Sequence, residues 1–318
     1  MANRRKKGRL ISGILLLDKP LQLSSNHALQ RVKRLFNAAK AGHTGSLDPL
    51  ATGMLPICLG EATKFSQYML DADKTYRTTA KLGVRTASGD VDSEVVSERP
   101  VPELKREAVE LALKTFLGDT LQVPSMYSAL KKDGQPLYKL ARQGIEVERK
   151  ARPIHIYDIK LLDIRGDELD IELTCSKGTY VRNFVDDLGE LLGCGAHVIT
   201  LRRLSVSGFD EAAMVTLEEL QGIAAQAKES GEPEEAFEAL DALLQPAGEA
   251  VKNLPKVELN DLAASYLKQG QPVFVPNVSA EGKVVLFNQD ADVAEQFVGV
   301  GEVMGDGRIA PRRLVSTE

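Results

Sequence analysis

Apolar residues recur along the chain with two different periods, which predict a mixture of strands and helices. Short apolar or alternating runs predict strands at residues 12–17, 74–82, 154–164, 169–175 and 198–206. Apolar residues at helical spacing predict helices that begin after Ser24 or Ser25, at residue 103 and after Gly178. The third and fourth strands are expected to pair as a hairpin, with a bulge where the apolar phase shifts between Ile156 and Ile159.

The pattern changes near residue 251. Residues 261–269 are predicted to form a short helix, which Asn260 caps and Gly270 ends. Short strands are predicted to follow it at residues 273–275, 283–287, 297–303 and 308–315. This spacing is typical of a small β-barrel of about seventy residues. We therefore expect two domains, at residues 1–250 and 251–318.

The segment 41–53 (AGHTGSLDPLATG) is rich in Gly, Thr, Ser and Pro, and it is predicted to be a loop that can closely approach a ligand. It contains Asp48, directly before Pro49. Most Asp-Pro pairs cap a turn or a helix N-terminus. A functional carboxylate would instead need a cation nearby to keep it ionised, and sequence spacing does not identify that cation.

The net charge of −5 is distributed unevenly along the chain. Residues 210–249, predicted to form two acidic helices broken at residues 230–233, carry −10, so the remaining residues carry +5. Bases cluster near the N-terminus and in the segment 124–153: Arg4, Arg5, Lys6, Lys7 and Arg9, and then Lys131, Lys132, Lys139, Arg142, Arg149, Lys150 and Arg152. This asymmetry favours one face that contacts phosphates, although solvated surfaces alone would give the same composition.

Several kinds of chemistry lack their sequence motifs. There is no GxxxxGK[ST] phosphate loop, and the glycines at residues 299–305 are one residue too widely spaced for a dinucleotide fingerprint. The four histidines lack metal-ligand spacing and the three cysteines contain no CxxC, so we expect no metal and reduced thiols. No apolar run approaches the roughly 20 residues that cross a bilayer, and we expect a soluble, cytoplasmic protein.

Four motifs follow one another along the chain: GHTGSLDPLATGMLPICLGEATK at residues 42–64, KTYR at 74–77, CSKGTYVRNFVDDLG at 175–189 and LRRL at 201–204. Together they resemble the motifs of the bacterial, TruB-type tRNA pseudouridine-55 synthase family. The resemblance extends from about Gly13 to the APRRL sequence at residues 310–314. This sequence departs from the family at Gln22, where Gly is frequent, and at Ser46, where Ala is usual.

The resemblance implies an α+β fold. A pseudouridine synthase catalytic domain is expected to contain a mixed, largely antiparallel central sheet, followed by a small PUA-like β-barrel that binds RNA. It also implies isomerisation of uridine to pseudouridine at position 55, in the T-arm loop of tRNA, without cofactor or metal. The implied partner is the T-arm stem-loop of tRNA, with no membrane and no obligate protein partner, so the chain is expected to be a monomer.

The same resemblance assigns roles to individual residues. Asp48 corresponds to the nucleophile, Tyr76 to the tyrosine that stacks on the target base, and Arg182 to the arginine that pairs with the aspartate. Tyr180 and Leu201 correspond to pocket residues, and His43 to the residue that fills the space left by the flipped base. Taken singly, Tyr76 and Leu201 also fit core positions, and Arg182 also fits a solvated surface charge.

Two other functions remain open at this point. One is an RNA-binding protein that helps tRNA to fold without requiring chemistry. The other is a subunit of a guide-RNA-dependent synthase, although the sequence has no additional extension for binding a partner. The basic segment 124–153 resembles the family's RNA-gripping insertion, whose charges are expected to contact phosphates rather than bases.

Binding of tRNA is therefore predicted to weaken steeply as salt increases, because phosphate neutralisation releases counterions. The measurement is the dissociation constant for a tRNA transcript between about 50 and 200 mM salt, with the slope of log affinity against log salt. A slope near zero would contradict the electrostatic argument.

Overall fold

The computed structural model of the chain describes residues 8–128, 130–230, 233–290 and 296–316. The basic residues Arg4, Arg5, Lys6 and Lys7 lie outside the described residues, as does part of the predicted break between the acidic helices. Within the described part, contacts divide the chain into two compact units. Unit 1 contains residues of Met1–Leu47, Leu55–Leu70 and Ala212–Glu318, and unit 2 contains Asp48–Met54 and Asp71–Glu211.

The strands and helices follow one another in a mixed order along the chain. The strands are β1 (Gly13–Lys19), β2 (Ala41–His43), β3 (Ala51–Leu59), β4 (Lys74–Leu82), β5 (Val84–Thr86), β6 (Val95–Glu98), β7 (Gly118–Gln122), β8 (Lys131–Lys132), β9 (Gln135–Pro136), β10 (Arg152–Arg165), β11 (Glu168–Cys175), β12 (Ala196–Val206), β13 (Val215–Thr216), β14 (Lys256–Leu259), β15 (Val273–Phe274), β16 (Gly282–Asn288), β17 (Gln296–Val303) and β18 (Arg308–Leu314). The α-helices are α1 (Ser25–Leu35), α2 (Ser66–Leu70), α3 (Arg106–Lys114), α4 (Leu137–Ala141), α5 (Val181–Leu191), α6 (Leu217–Ser230), α7 (Pro233–Asp241) and α8 (Asp261–Lys268). Short 3-10 helices lie at Gly60–Phe65, Glu211–Ala213 and Ala247–Val251.

Unit 2 is built on a mixed sheet with the strand order β3, β12, β4, β11, β10, β7. The first residues of β3 run parallel to β12, and the four remaining strand pairs are antiparallel. Helix α5 has an apolar face of buried side chains, including Phe184 and Leu188, and it contacts β12. The predicted fold class, with its mixed and largely antiparallel sheet, is confirmed.

The predicted hairpin is formed by β10 and β11. Its register shifts between Ile156 and Asp158, which confirms the predicted bulge, and again between Leu161 and Asp163. Gly166 in the connecting turn has φ +61°, a conformation that glycine adopts without steric cost. A phase change in the apolar pattern was therefore sufficient to locate the first irregularity.

Unit 1 contains β1, which is almost fully buried and pairs in parallel with β13. Helix α1 is capped by Ser24, whose hydroxyl accepts a hydrogen bond of 3.2 Å from the backbone N–H of His27. Gln22, at the position where the family often has Gly, has φ +61°. The turn before α1 therefore adopts the left-handed conformation here without a glycine.

The prediction of a continuous loop over residues 41–53 was wrong at both ends. Residues 41–43 form β2, which pairs with the end of β3, and β3 itself begins at Ala51. The strand pairing satisfies backbone groups that a glycine-rich sequence alone would leave to solvent. The irregular part is consequently limited to residues 44–50.

The C-terminal strands form a five-stranded sheet with the order β14, β16, β17, β18, β15. Among the described residues the two edge strands do not pair with each other, so the sheet is a half-barrel. Its core includes Leu259, Leu267, Leu286 and Ile309, and Asn260 caps α8 as predicted, accepting from the N–H of Ala263 at 2.8 Å. Strand β14 was not predicted, and the domain boundary near residue 250 stays a prediction.

Two further sequence expectations can be compared with the described residues. Cys58, Cys175 and Cys194 are all buried and free, as expected. None of the helices in the described ranges has the length and apolar character needed to cross a membrane.

Lys74, the first residue of β4, is a buried cation. Its side chain is 7% exposed, and its ammonium group donates to the carbonyl of Ala72. Burial, together with the nearby charge of Arg203, lowers the pKa of Lys74 from 10.5 to about 8. The folded chain therefore binds this proton more weakly than the unfolded chain does.

Between pH 8 and 10.5 the unfolded chain retains the Lys74 proton that the folded chain loses, so this residue makes stability rise with pH. We expect the free energy of unfolding of the wild type to gain about 1 kcal/mol relative to Lys74→Met between roughly pH 7 and 9. Denaturant unfolding at several pH values measures this difference. The exposed Lys114, changed to Met, is the control, and an equal pH dependence in the wild type and Lys74→Met would contradict the prediction.

Candidate active site

Asp48 begins the turn that leads into β3. Its backbone carbonyl accepts a hydrogen bond of 3.0 Å from the N–H of Ala51, and Pro49 occupies the second turn position, which its fixed φ favours. The turn therefore uses the backbone carbonyl of Asp48. The Asp48 side chain is 44% exposed, so solvent and a ligand can reach the carboxylate.

Arg182 is the cation beside this carboxylate. It is the second residue of α5, and its Nη2 lies 3.0 Å from Oδ2 of Asp48. The Arg182 side chain is only 6% exposed, so it is not a solvated surface charge. Only the family resemblance predicted this partner for Asp48, because 134 positions separate the two residues in the sequence.

A second carboxylate, from Asp90, completes the arrangement. Nη1 of Arg182 lies 3.0 Å from Oδ2 of Asp90, whose side chain is 7% exposed. Oδ1 of Asp90 accepts from the hydroxyl of Ser88 at 2.6 Å and from the N–H of Asp92 at 3.1 Å. Asp90 is therefore fixed on both sides, and it was not among the residues predicted from the sequence.

The guanidinium of Arg182 also donates to two backbone carbonyls. Nη1 donates to the carbonyl of Ser88 and Nη2 to that of Tyr127, each at 3.0 Å. A buried cation at the positive end of a helix is unfavourable unless opposite charges and hydrogen bonds compensate it. Two carboxylates and two carbonyls supply that compensation, and they allow the guanidinium a single orientation.

Tyr76 lies on β4, opposite Arg203 of β12, and is 8% exposed. The Arg203 guanidinium hydrogen-bonds the Tyr76 phenol, while its Nε donates to the carbonyl of Met54 at 2.7 Å. Burial raises the pKa of Tyr76, and the charge of Asp48 acts in the same direction. The phenol is thus neutral near pH 7, held by Arg203, and within electrostatic reach of Asp48.

The other predicted pocket residues lie on neighbouring elements. Leu201 of β12 pairs with Ala51 on one side and with Thr78 on the other, and it is 7% exposed. Tyr180 is the N-cap residue of α5, two positions before Arg182, and is half-buried. Unit 2 therefore contains five of the six predicted site residues, with Asp48 and Arg182 in direct contact.

His43, the sixth, lies in unit 1. It is the last residue of β2, pairs with Ile57 of β3 and is half-buried. Its role as the residue that fills a vacated base position stays a prediction.

Three residues around the site escaped sequence reasoning: Asp90, Arg203 and Gln122, the last of which binds the backbone of Tyr180. Arg203 was visible only as part of the LRRL motif, which gave it no role. The Ser-Gly-Asp sequence at residues 88–90 is a common turn signal and carries no indication of a partner. Within the described residues, no group of three or more His, Cys, Asp or Glu side chains could hold a metal ion.

The arrangement suits chemistry on a neutral, planar substrate. A half-exposed carboxylate in contact with a buried guanidinium can act as a nucleophile or a base. The neighbouring side chains of Tyr76 and Leu201 are an aromatic ring and an aliphatic group, and such groups contact the face of a nucleobase.

Comparison with known proteins gives a consistent assignment along the chain. The model of the TruB family pseudouridylate synthase N-terminal domain matches residues 33–181. Models of the tRNA pseudouridylate synthase B C-terminal domain and of the pseudouridine synthase II TruB C-terminal region match residues 182–252 and 255–315.

Similar sequences and structures extend over nearly the full length. A tRNA pseudouridine synthase B from Shewanella amazonensis is 58% identical over 98% of this chain and 97% of its own length. One from Serratia proteamaculans is 55% identical over 99% and 98%. The crystal structure of a Cbf5-Nop10-Gar1 complex has a chain that is 28% identical with a TM-score of 0.71, covering 92% of this chain and 78% of that one.

A further structure, of an H/ACA RNP bound to a substrate RNA containing 2'-deoxyuridine, has a chain with a TM-score of 0.73 at 23% identity, covering 99% of this chain and 92% of that one. At this identity the likeness concerns the fold. Together with the matches of the family models and the identities to the full-length relatives, it leads to one assignment. The chain belongs to the TruB family of pseudouridylate synthases, which are isomerases.

Proposed function

We propose that this chain isomerises uridine to pseudouridine in tRNA, at position 55 in the T-arm loop, and that Asp48 is the nucleophile. The relatives named tRNA pseudouridine synthase B, 55 to 58% identical over nearly the whole chain, support the reaction and the RNA class. The observation that carries the role of Asp48 is its contact with the buried Arg182, which Asp90 fixes from the other side.

The reaction exchanges one glycosidic bond for another. The bond between N1 of uracil and C1′ of the ribose breaks, the base turns, and C5 bonds to C1′. The C5 proton leaves and N1 gains a proton, so no atom is added or lost overall. A carboxylate that bonds transiently to the base or the sugar divides this exchange into two easier steps. Asp48 has the exposure and the counter-charge that this role requires.

The target base must leave the stacked loop before it can reach Asp48. Unstacking costs a few kcal/mol, which contacts in the pocket must offset. In the proposal the base lies against the ring of Tyr76 and beside Leu201, while Tyr180 lines the pocket. Because Arg203 holds the phenol of Tyr76, the ring is already in place before the base arrives.

The alternative functions differ in what they demand of the chain. A guide-RNA-dependent subunit requires other components, whereas the relatives matched over their full length carry the name of a tRNA synthase. We therefore propose that the chain modifies tRNA without other protein or RNA components, as a monomer. A contribution to tRNA folding is compatible with catalysis and depends on binding, for which the basic segment 124–153 is the proposed surface.

Asp48→Asn is expected to lower the rate of tritium release from a T-arm transcript labelled with 5-tritiated uridine by about 10³-fold or more, because the amide cannot act as the nucleophile. Binding of tRNA should change by no more than about twofold, since the substitution keeps the size of the side chain. Asp119→Asn, at a position whose side chain is 94% exposed, is the matched control.

Full activity of Asp48→Asn would refute the assignment of the nucleophile. Retention of tRNA remodelling by this inactive variant would show that the chain also acts as a folding helper.

Asp90→Asn is expected to reduce kcat by about 10- to 100-fold without weakening tRNA binding. The substitution keeps the shape of the side chain but removes one of the two charges that compensate Arg182, so the guanidinium is less firmly oriented toward Asp48. Single-turnover measurements with saturating enzyme isolate this effect. A rate equal to that of the wild type would show that the second carboxylate has no part in preparing the site.

A further inference from the structure

The amide side chain of Gln122 forms two hydrogen bonds with the backbone of Tyr180. Gln122 is the last residue of β7 and is 6% exposed. Its Nε2 donates to the carbonyl of Tyr180 at 3.1 Å, and its Oε1 accepts from the N–H of Tyr180 at 2.7 Å. A side chain thus makes the pair of hydrogen bonds that a neighbouring strand would make.

This contact supplies a hydrogen-bond acceptor at the start of α5, the helix that carries Arg182. Helix α5 has no side-chain cap and no acidic residue in its first turn. The first N–H groups of a helix require acceptors from elsewhere, or the end frays. Gln122 supplies an acceptor at the N-cap residue itself, two positions before Arg182, and so restrains the turn from which the guanidinium extends.

Two more hydrogen bonds extend the contact along the chain. Nδ2 of Asn183 donates to the carbonyl of Val123 at 2.6 Å, and Nη2 of Arg182 donates to that of Tyr127 at 3.0 Å. The hydrogen bonds that residues 122, 123 and 127 share with residues 180, 182 and 183 at the start of α5 are called the seam below. Nη2 of Arg182 is also the atom that lies 3.0 Å from Asp48.

The seam lies where the basic segment 124–153 begins. Beside it is a cleft of about 650 Å³, whose lining includes Val123, Met126 and Tyr127. Pairing of β7 with β10 fixes the backbone of Gln122 at the start of the segment, and the seam joins this backbone to the start of α5. A displacement of the segment would therefore act directly on the turn that contains Arg182.

We propose that Gln122 is a positioning residue, which joins the start of the basic segment 124–153 to the Asp48–Arg182 pair. This inference rests on the proposed function, in which the segment contacts tRNA phosphates and Asp48 attacks the target nucleotide. It implies that binding of the segment to RNA contributes to the catalytic rate and not only to the affinity for tRNA. Gln122 itself touches neither the substrate nor the reacting atoms.

The first test is Gln122→Met, which keeps the length of the side chain but makes neither hydrogen bond. It leaves the N–H of Tyr180 without its acceptor, and a lost hydrogen bond of this kind corresponds to about a tenfold effect. We expect kcat for pseudouridine formation in a tRNA transcript to fall about tenfold, while the dissociation constant for tRNA stays within about twofold. An unchanged kcat in a folded variant overturns the proposal.

The second test, Gln122→Glu, has a readout that altered stability would not produce. The ionised carboxylate can accept from the N–H of Tyr180 but repels its carbonyl, whereas the protonated acid restores the donor. The ratio of kcat in this variant to kcat in the wild type should therefore rise as pH falls from about 8 to 6, because burial beside a carbonyl favours the neutral acid. A ratio independent of pH overturns the proposal, and this test suffices if Gln122→Met does not fold.

A matched control separates positioning from stability. Val109→Ala removes apolar volume from the buried face of α3, outside the seam and outside the Asp48–Arg182–Asp90 network. It should lower the melting temperature and leave kcat unchanged at temperatures well below it. If Val109→Ala loses as much kcat as Gln122→Met, the effect is one of stability and the inference fails.

Failure of the proposed function is distinguishable in the same series, because the wild-type chain would then release no tritium from the transcript. If the wild type is active and Gln122→Met is fully active, only the positioning role of Gln122 is contradicted.

Discussion

The buried guanidinium of Arg182 is the constraint around which unit 2 is organised. A cation removed from water at the N-terminus of a helix must be compensated by opposite charge and by hydrogen bonds that match its shape. Asp48, Asp90 and the carbonyls of Ser88 and Tyr127 provide both. Three segments that are distant in the sequence are thus brought to one side chain, and each is held there by the cost of leaving a charge or a donor unsatisfied.

The two carboxylates differ because the structure exposes them differently. Asp90 is buried and bound on both oxygens, so its role is to hold the guanidinium. Asp48 is 44% exposed and receives the guanidinium on one oxygen. Behind them, Arg203 and Lys74 place two more cations within the sheet beside Tyr76, where burial raises the pKa of the phenol and lowers that of the ammonium. The sheet beside the site therefore contains two buried cations, whose desolvation costs free energy.

The same chain contains this site, the C-terminal half-barrel and the basic segment 124–153. The family assignment rests on matches along the whole chain, and the geometry adds how the parts are connected. Through the seam at Gln122, the segment proposed to contact phosphates is hydrogen-bonded to the helix turn that orients Arg182. In the proposal, binding and chemistry are in this way linked by a few short hydrogen bonds.

The sequence by itself determined the elements whose signals are local. Alternation predicted β4 and β11, a phase shift located the bulge after Ile156, and a capping residue located α8, since each depends on neighbours in the chain. The motifs also identified Asp48 and Arg182, but only by resemblance. The tertiary structure alone decided the short strands β2 and β14 and the contacts that Asp90 makes with Arg182 and Gln122 makes with Tyr180. Short pairings and the partners of buried groups are selected by proximity in space, which the spacing of residues along the chain does not encode.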